Sequence, residues 1–557
     1  MTLIVDLFGY LSIVLHGLVI VAQSMAVGGA LFLLGLAIPF APTLPDGAGL
    51  VSRTAGIAAW SAVALAAGEA VTVAMQVAVL MATLELPLSG VVGASFAVAG
   101  LVKMVAALLL AAVLWRSAAS DKTGTGRAGD RAALIVLCAV VIGAATATTH
   151  AAARLQDESL LLAASAIHIL GAAIWIGGIP CFVMMLGRLH DGASFRRVGA
   201  RFSRMSMAGV ACILVSATAF SVFYVGSWAG VYGTAYGVMV SAKAAMFAAL
   251  LLLGLGNFLV VERLRRNPAT SVLRMRRFAE VEIGIGFSVF FAAASLTSVP
   301  PAIDLSQDRV TWHEIVERNT PVMPTLASPD HDALALPALQ EKLDREAAAA
   351  KTAAGAAFVP GSGELPDRNA ADVAWSEYNH HWSGLFVLAI GALGLMHRGG
   401  VRWARHWPLA LLGLAAFLFV RSDPEVWPLG EIGFWASLRD VEVLQHRAFV
   451  VLIVVFAVFE WGVRTGRFRR PGLGLVFPLL TALGGALLLT HSHAIANIRD
   501  QLLIEVAHTP LALLGIAAGW ARWLELRADG GVRRWAGWVW PVCFVLVAGI
   551  LLDYREA

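Results

Sequence analysis

The amino-acid sequence predicts an all-α protein, a polytopic membrane bundle of about fourteen transmembrane helices. The chain of 557 residues is 59% hydrophobic and only 14% charged. Its apolar stretches recur at lengths of roughly 20 residues, which a helix needs to cross a hydrocarbon core of ~30 Å. Its basic residues gather in alternate connections. This composition excludes a soluble enzyme, and the net charge of +4 needs no nucleic-acid partner, because loop arginines account for it.

The apolar stretches fall into two blocks, residues 1–300 and 378–557, joined by a periplasmic segment at 301–377. The predicted spans of the first block lie near residues 8–40, 55–82, 90–115, 132–150, 160–187, 203–226, 236–261 and 279–299. Those of the second block lie near residues 378–396, 406–421, 446–463, 472–491, 502–521 and 536–553. The joining segment is rich in Ala, Pro and Asp, which predicts mostly loop with a short amphipathic helix near 336–353.

The loop arginines orient this bundle. In the first block the basic residues fill the connections at 116–131, 188–204 and 263–277, and the second block repeats the pattern. The intervening connections hold few basic residues. The positive-inside rule therefore predicts that these loops are cytoplasmic and that both termini are periplasmic. Membrane lipid is the expected surrounding of the whole chain.

The histidines are distributed unequally across this predicted topology. His190, His397 and His406 face the cytoplasm, and the other eleven of the fourteen lie on the outer side or in the outer part of a helix. Imidazole is the commonest protein metal ligand and titrates near physiological pH. A one-sided population of histidines indicates metal capture, proton handling or haem ligation at the outer face.

Four motifs, in order along the chain, resemble the copper resistance protein D (CopD) family. They are His168-Ile-Leu-Gly-Ala-Ala-Ile-Trp175-Ile-Gly177-Gly178, Arg201-Phe-Ser-Arg204, Gly233-Thr234-Ala-Tyr236-Gly237 followed by Lys243, and the helix from Glu280 to Pro300-Pro301. The resemblance covers residues 130–301 well and 1–120 more loosely. It implies a bacterial inner-membrane protein that moves copper from the periplasm, and the second block is an addition to that architecture.

The first block offers one candidate metal site. His16 and His168 each lie about two turns inside helices that enter from outside, so the two imidazoles are expected at similar depth and suit copper. Met25 and Met75, with soft thioether sulfurs, are candidate secondary residues along a copper path, and core packing is their alternative role.

Ionisable residues at mid-membrane depth are costly and therefore indicate function. Glu69 is a candidate ligand or proton carrier, and Lys103 or Lys243 is its expected counter-ion. An ion pair that locks helix packing is the alternative interpretation.

The second block concentrates six more candidate metal ligands at one membrane level. They are His380, His381, His446, His491, His493 and His508, with Glu505 one turn from His508 as a further ligand or orienting group. Copper is the first predicted occupant. Haem b is the second, because histidines on facing helices can be its axial ligands. In the joining segment His313, Met323 and His331 are interpreted as residues of a surface loop.

These observations predict a copper-handling membrane protein that binds copper outside and transports it inward, with a periplasmic copper chaperone as the partner that would supply it. It is expected to be a transporter or metal-binding protein and not an enzyme. Two alternatives stay open: a membrane oxidoreductase that carries haem or copper, and an assembly factor that delivers copper to another complex. No nucleotide-binding P-loop is evident in the sequence.

Overall fold

A computed structural model describes residues 2–44, 46–84, 87–120, 128–154, 156–306, 309–331, 370–438, 441–470, 472–490 and 498–555. Within these ranges the chain is helical and forms no sheet, which confirms the predicted fold class. The predicted helix near 336–353 lies outside the described residues, as do His491 and His493.

The first block consists of twelve helices, several of them short. They are α1 Thr2–Phe32, α2 Ile38–Phe40, α3 Gly47–Leu84, α4 Leu88–Val92, α5 Ser95–Ser120, α6 Ala128–Thr146, α7 Glu158–Ala172, α8 Ile179–Leu186, α9 Gly192–Phe220, α10 Trp228–Tyr232, α11 Ala235–Arg266 and α12 Leu273–Leu296. Wider π-helical turns at Leu33–Ala37, Ala173–Gly177 and Ser221–Val225 extend α1, α7 and α9. Such turns release backbone groups from the regular helical ladder.

The joining segment and second block add eight helices. They are α13 Trp312–Arg318, α14 Ala370–Arg398, α15 Ala410–Arg421, α16 Phe434–Ser437, α17 Val441–Arg464, α18 Val476–Leu488, α19 Ile498–Arg527 and α20 Gly530–Leu552. In this block α20 packs on α14 and α19, α18 packs on α19, and α15 packs on α17.

Eleven helical stretches among the described residues are long and apolar enough to cross a membrane. The other three predicted spans coincide with α14, the shorter α18 and α19, which fall below that standard of length and apolarity. The protein therefore has the helices of a multi-pass membrane protein. The count of fourteen spans and the periplasmic position of the termini remain predictions.

The two blocks contact each other through α19, which packs on α11 and α12, and through α18, which packs on α12. The joining segment crosses the end of the bundle at which α1, α7, α14 and α19 begin, called the histidine end below. The Val310 N–H donates to Gly233 O of the first block at 3.1 Å, and the Val322 N–H donates to Asp553 Oδ1 of the second at 3.1 Å. Residues 309–331 thus bind to both blocks.

Candidate functional site

The motif around His168 lets two helices approach closely. A Cβ on Gly177 would lie 1.9 Å from Ser24 O, so only glycine permits this contact with α1. Further along, a Cβ on Gly29 would lie 3.6 Å from Cys181 Sγ, so the two helices run in parallel. His16 precedes Ser24 by eight residues and His168 precedes Gly177 by nine.

This parallel packing puts the two candidate imidazoles at one level. At a rise of 1.5 Å per residue, His16 and His168 lie about 12 Å and about 14 Å from the Ser24–Gly177 contact, measured along their helices. Both side chains are half-buried.

A neighbouring helix orients His168. The Ser216 hydroxyl donates to Cys212 O at 2.8 Å, so its oxygen accepts the Nδ1–H of His168 at 2.9 Å. This bond fixes the tautomer with the lone pair on Nε2, the nitrogen that binds a metal. The Phe220 ring meets the imidazole edge-on at 5.4 Å between centroids. Ser216 was not predicted, because a hydrogen bond between helices that are far apart in the sequence leaves no local sequence pattern.

A buried ion pair lies beside His16. Lys103 Nζ is 2.9 Å from Glu69 Oε2, and the two side chains are 5% and 7% exposed. A Cβ on Gly100 would come within 3.2 Å of Glu69 Oε1, so the glycine makes room for the carboxylate. The ammonium of Lys103 also acts electrostatically on His16. The counter-ion of Glu69 is thus Lys103 and not Lys243, which instead acts on His168.

The candidate methionines lie on α1, which carries His16, and on α3, which carries Glu69. Met25 is half-buried on α1 one residue beyond Ser24, and Met75 is half-buried on α3, six residues beyond Glu69. The structure places them along the bundle without joining either sulfur to a histidine. Their role as steps of a copper path remains a prediction.

Two of the other three motifs have structural explanations. Thr234 caps α11, since its Oγ1 accepts the Gly237 N–H at 3.0 Å, and a Cβ on Gly237 would lie 2.1 Å from Gly230 O. Arg201 Nε donates to Gly35 O at 2.9 Å, within the π-helical turn that follows α1. These residues hold the bundle together around the histidines.

In the second block, two of the predicted histidines meet around a tyrosine. The His380 ring stacks on Tyr554 with centroids 3.8 Å apart, and His508 meets both rings edge-on, at 6.2 Å from His380 and 5.9 Å from Tyr554. The Nδ1–H of His380 donates to Ser376 O at 2.8 Å, which leaves the lone pair on Nε2. Glu505 is buried on α19, one turn before His508. Tyr554 follows the last helix, and nothing in its local sequence marks it.

His381 has a different environment. The Thr325 N–H donates to its Nδ1 at 3.0 Å, and its Nε2–H donates to Tyr554 O at 3.0 Å. The side chain is 2% exposed. Backbone groups therefore occupy both ring nitrogens, and His381 anchors the joining segment and the C-terminal end where a metal ligand was expected.

His446 is paired with an acid instead of another histidine. Its Nδ1 lies 2.6 Å from Asp423 Oδ1, and the imidazole is 39% exposed while the carboxylate is buried. A carboxylate on one ring nitrogen orients the other and raises its basicity. Asp423 was not predicted, because it lies in the turn before α16, away from the helices that carry the histidines.

His331, a further histidine, lies in the joining segment and contacts the second block. His331 Nε2 donates to Pro424 O at 2.6 Å, and its ring meets Trp375 edge-on.

His150 lies in the turn after α6, and burial lowers its pKa below the usual value because desolvation disfavours the charged form. Among the described residues no group of three or more His, Cys, Asp or Glu side chains has the geometry to hold a metal ion.

Comparisons with known proteins agree with the motifs. A family model described as Copper resistance protein D matches residues 196–296. The chain is also 30% identical over 159 residues to the Copper transport protein CutJ of Bacillus subtilis (strain 168), a match that covers 28% of each chain. It thus spans little more than a quarter of that relative's length. No solved structure matches the chain. These similarities, with the apolar helices, indicate a copper-related function in a multi-pass membrane protein.

Proposed function

We propose that this chain, whose residues 196–296 belong to the copper resistance protein D family, binds copper at the histidine end of its bundle and transports it across the bacterial inner membrane. The relative's printed name concerns copper transport, and the match with it covers part of the chain. The substrate, the direction of movement and the site residues are therefore inferred from the residues described above.

The observation that supports this proposal is the similar depth of His16 and His168 on two parallel helices. His168 has its Nδ1–H held by Ser216, so Nε2 carries the lone pair toward a ligand. Two neutral imidazoles suit copper.

We assign the second block to capture at the histidine end. His380 and His508 lie on α14 and α19 and share contact with Tyr554. His446, oriented by Asp423, is a separate exposed ligand on α17. Periplasmic copper, free or held by a chaperone, would reach these residues before the deeper pair. Haem has no support from the comparisons, which concern copper.

The test uses the full-length protein purified in lipid nanodiscs, with the variants His16→Ala/His168→Ala and His190→Ala. His190 is exposed and serves as the matched control. We expect copper binding close to stoichiometric in the wild type and the control, and a loss of at least one ion in the double variant. Copper entry into proteoliposomes should be lost in the same variant. Equal copper content in all three proteins would refute the assigned site.

A further inference from the structure

A cavity of about 310 Å³ lies between α9, α11, α12 and the turn Ala173–Gly177. Its walls are mostly apolar, including Trp175, Phe202 and Met275. Four polar side chains interrupt this apolar lining: Ser203, Ser206, Asn257 and Glu282. The cavity lies within the region that matches the family, and none of its polar residues belongs to the histidine sites.

Glu282 is the ionisable side chain among the residues that line this cavity. It is 3% exposed and lies nine residues into α12, at membrane depth. Asn257 Nδ2 is 2.5 Å from Glu282 Oε1, and the Trp175 indole is the second polar neighbour of the carboxyl group. Among the described residues no basic side chain lies within ion-pair distance of it. This differs from Glu69, which Lys103 neutralises.

Charged groups on the helices packed around the cavity act elsewhere. Lys243, fourteen residues before Asn257 on α11, acts on His168. On α9, Arg201 and Arg204 donate to Gly35 O and Ala200 O. On α11, Glu262 pairs with Arg265. On α12, Arg274 donates to Gly256 O and Glu280 pairs with Arg527 of α19. The turn Ala173–Gly177 and α8 contain no charged residue. No group that faces the cavity therefore compensates a negative charge on Glu282.

An uncompensated carboxylate at this depth is strongly unfavourable, because a buried unpaired ion loses its hydration and gains no counter-charge. A single positive charge, a proton or a monovalent cation, removes that penalty. The Asn257 amide N–H donates to Glu282 Oε1, which leaves Asn257 Oδ1 buried without a hydrogen-bond partner among the described residues.

Two further polar atoms make the cavity able to pass a proton. Asn257 Oδ1 and Ser206 Oγ are buried without a hydrogen-bond partner. At the polar part of the lining, two such groups beside Glu282 can hold water that bridges them to the carboxyl group. Trp175 lies seven residues beyond His168, so the cavity begins about 10 Å deeper than the proposed copper site, measured along the helix.

We propose that Glu282 is a proton-binding site of the membrane domain, whose carboxyl group takes up and releases one proton through this cavity. The proton binds as neutral COOH in the cavity and leaves to water as H⁺, and no other bond changes. Its coupling to copper movement rests on the function proposed above. The proton-binding site itself depends only on the residues that line this cavity.

The first experiment detects the proton directly. Infrared spectra of the full-length protein in nanodiscs are compared for wild type, Glu282→Gln and the exposed control Glu262→Gln. We expect the carbonyl band of a protonated carboxyl group near neutral pH in wild type and control, and its loss in Glu282→Gln. Glu282→Asp, which keeps the carboxyl group, should retain a band. Identical spectra for wild type and Glu282→Gln would overturn the proposal. Loss of the wild-type band when Na⁺ replaces choline would identify a sodium site and overturn it as well.

The second experiment measures coupling in proteoliposomes that contain a pH-sensitive dye. Copper addition should drive a proton flux in wild type and Glu262→Gln, and Glu282→Gln should lose that flux while still binding copper. An unchanged flux in Glu282→Gln would overturn the coupling role. Wild type that moves no copper but shows the infrared band would refute the proposed transport and leave the proton site supported.

Discussion

Trp523 of the second block donates its indole N–H to Glu280 Oε2 of the first block at 3.0 Å. Arg527 reaches the other carboxylate oxygen at 3.1 Å, and Arg527 O accepts the Nε–H of Arg277 at 3.0 Å. Glu280 is thus satisfied by residues of both blocks, with its side chain 11% exposed. Charge-assisted bonds of this kind fix the approach of α19 to α12. The second block is therefore docked on the first through the contact of α19 with α12.

The contact of α19 with α12 should tolerate no added side-chain atom at Gly284. A Cβ there would lie 1.6 Å from Trp520 Cζ2, so Gly284→Ala must displace the indole. We expect a loss of about 1–3 kcal/mol, typical of overpacking. Thermal unfolding in detergent measures the loss, and Gly143→Ala, where a Cβ meets nothing within 4 Å, is the control. Equal midpoints for both variants would contradict the tight contact.

The Glu69–Lys103 pair predicts a strongly non-additive double-variant cycle. Glu69→Gln leaves the Lys103 ammonium buried without a partner, which should cost about 3–5 kcal/mol of unfolding free energy. Glu69→Gln/Lys103→Met removes both charges and should recover most of that loss. Glu262→Gln, which breaks an exposed pair with Arg265, should change stability little. Additive effects of the two buried substitutions would show that the pair is not coupled.

Ser216 should act on copper binding through His168. Removal of its hydroxyl in Ser216→Ala frees the imidazole to rotate and to exchange tautomers, so copper affinity should fall about tenfold to hundredfold. Ser241→Ala is the matched control, because the Ser241 hydroxyl bonds only the backbone of its own helix. Copper titration with a competing chelator gives the affinities. A normal affinity in Ser216→Ala would remove Ser216 as the orienting group.

The neighbouring residues His380 and His381 should respond in opposite ways to replacement. His381→Ala leaves the Thr325 N–H and Tyr554 C=O without their partner, at about 1–3 kcal/mol for each buried group, and should leave bound copper unchanged. His380→Ala should lower copper content with little change in stability. Metal analysis and thermal unfolding of both variants give the answer. Loss of copper in His381→Ala alone would reverse the assignment.

The local sequence was sufficient to predict the helices and the region that resembles the family. A membrane helix satisfies its own backbone hydrogen bonds, so hydropathy locates it, and eleven of the predicted spans coincide with described helices that are long and apolar enough to cross a membrane. The motif residues Thr234 and Gly237 were also informative, because a helix cap and a close backbone contact each require particular residue types. The copper relationship followed from the same motifs.

Contacts between helices were not predictable in this way. The sequence left Lys103 and Lys243 as equal counter-ions for Glu69, and only packing brought Lys103 within 2.9 Å. It also treated His380 and His381 alike, although adjacent residues on a helix point about 100° apart. One imidazole therefore turns to His508 and Tyr554, and the other to the backbone of the joining segment. The sequence by itself determined which side chains are present at each membrane depth, and the tertiary structure decided which of them meet, because helix neighbours depend on packing between distant segments.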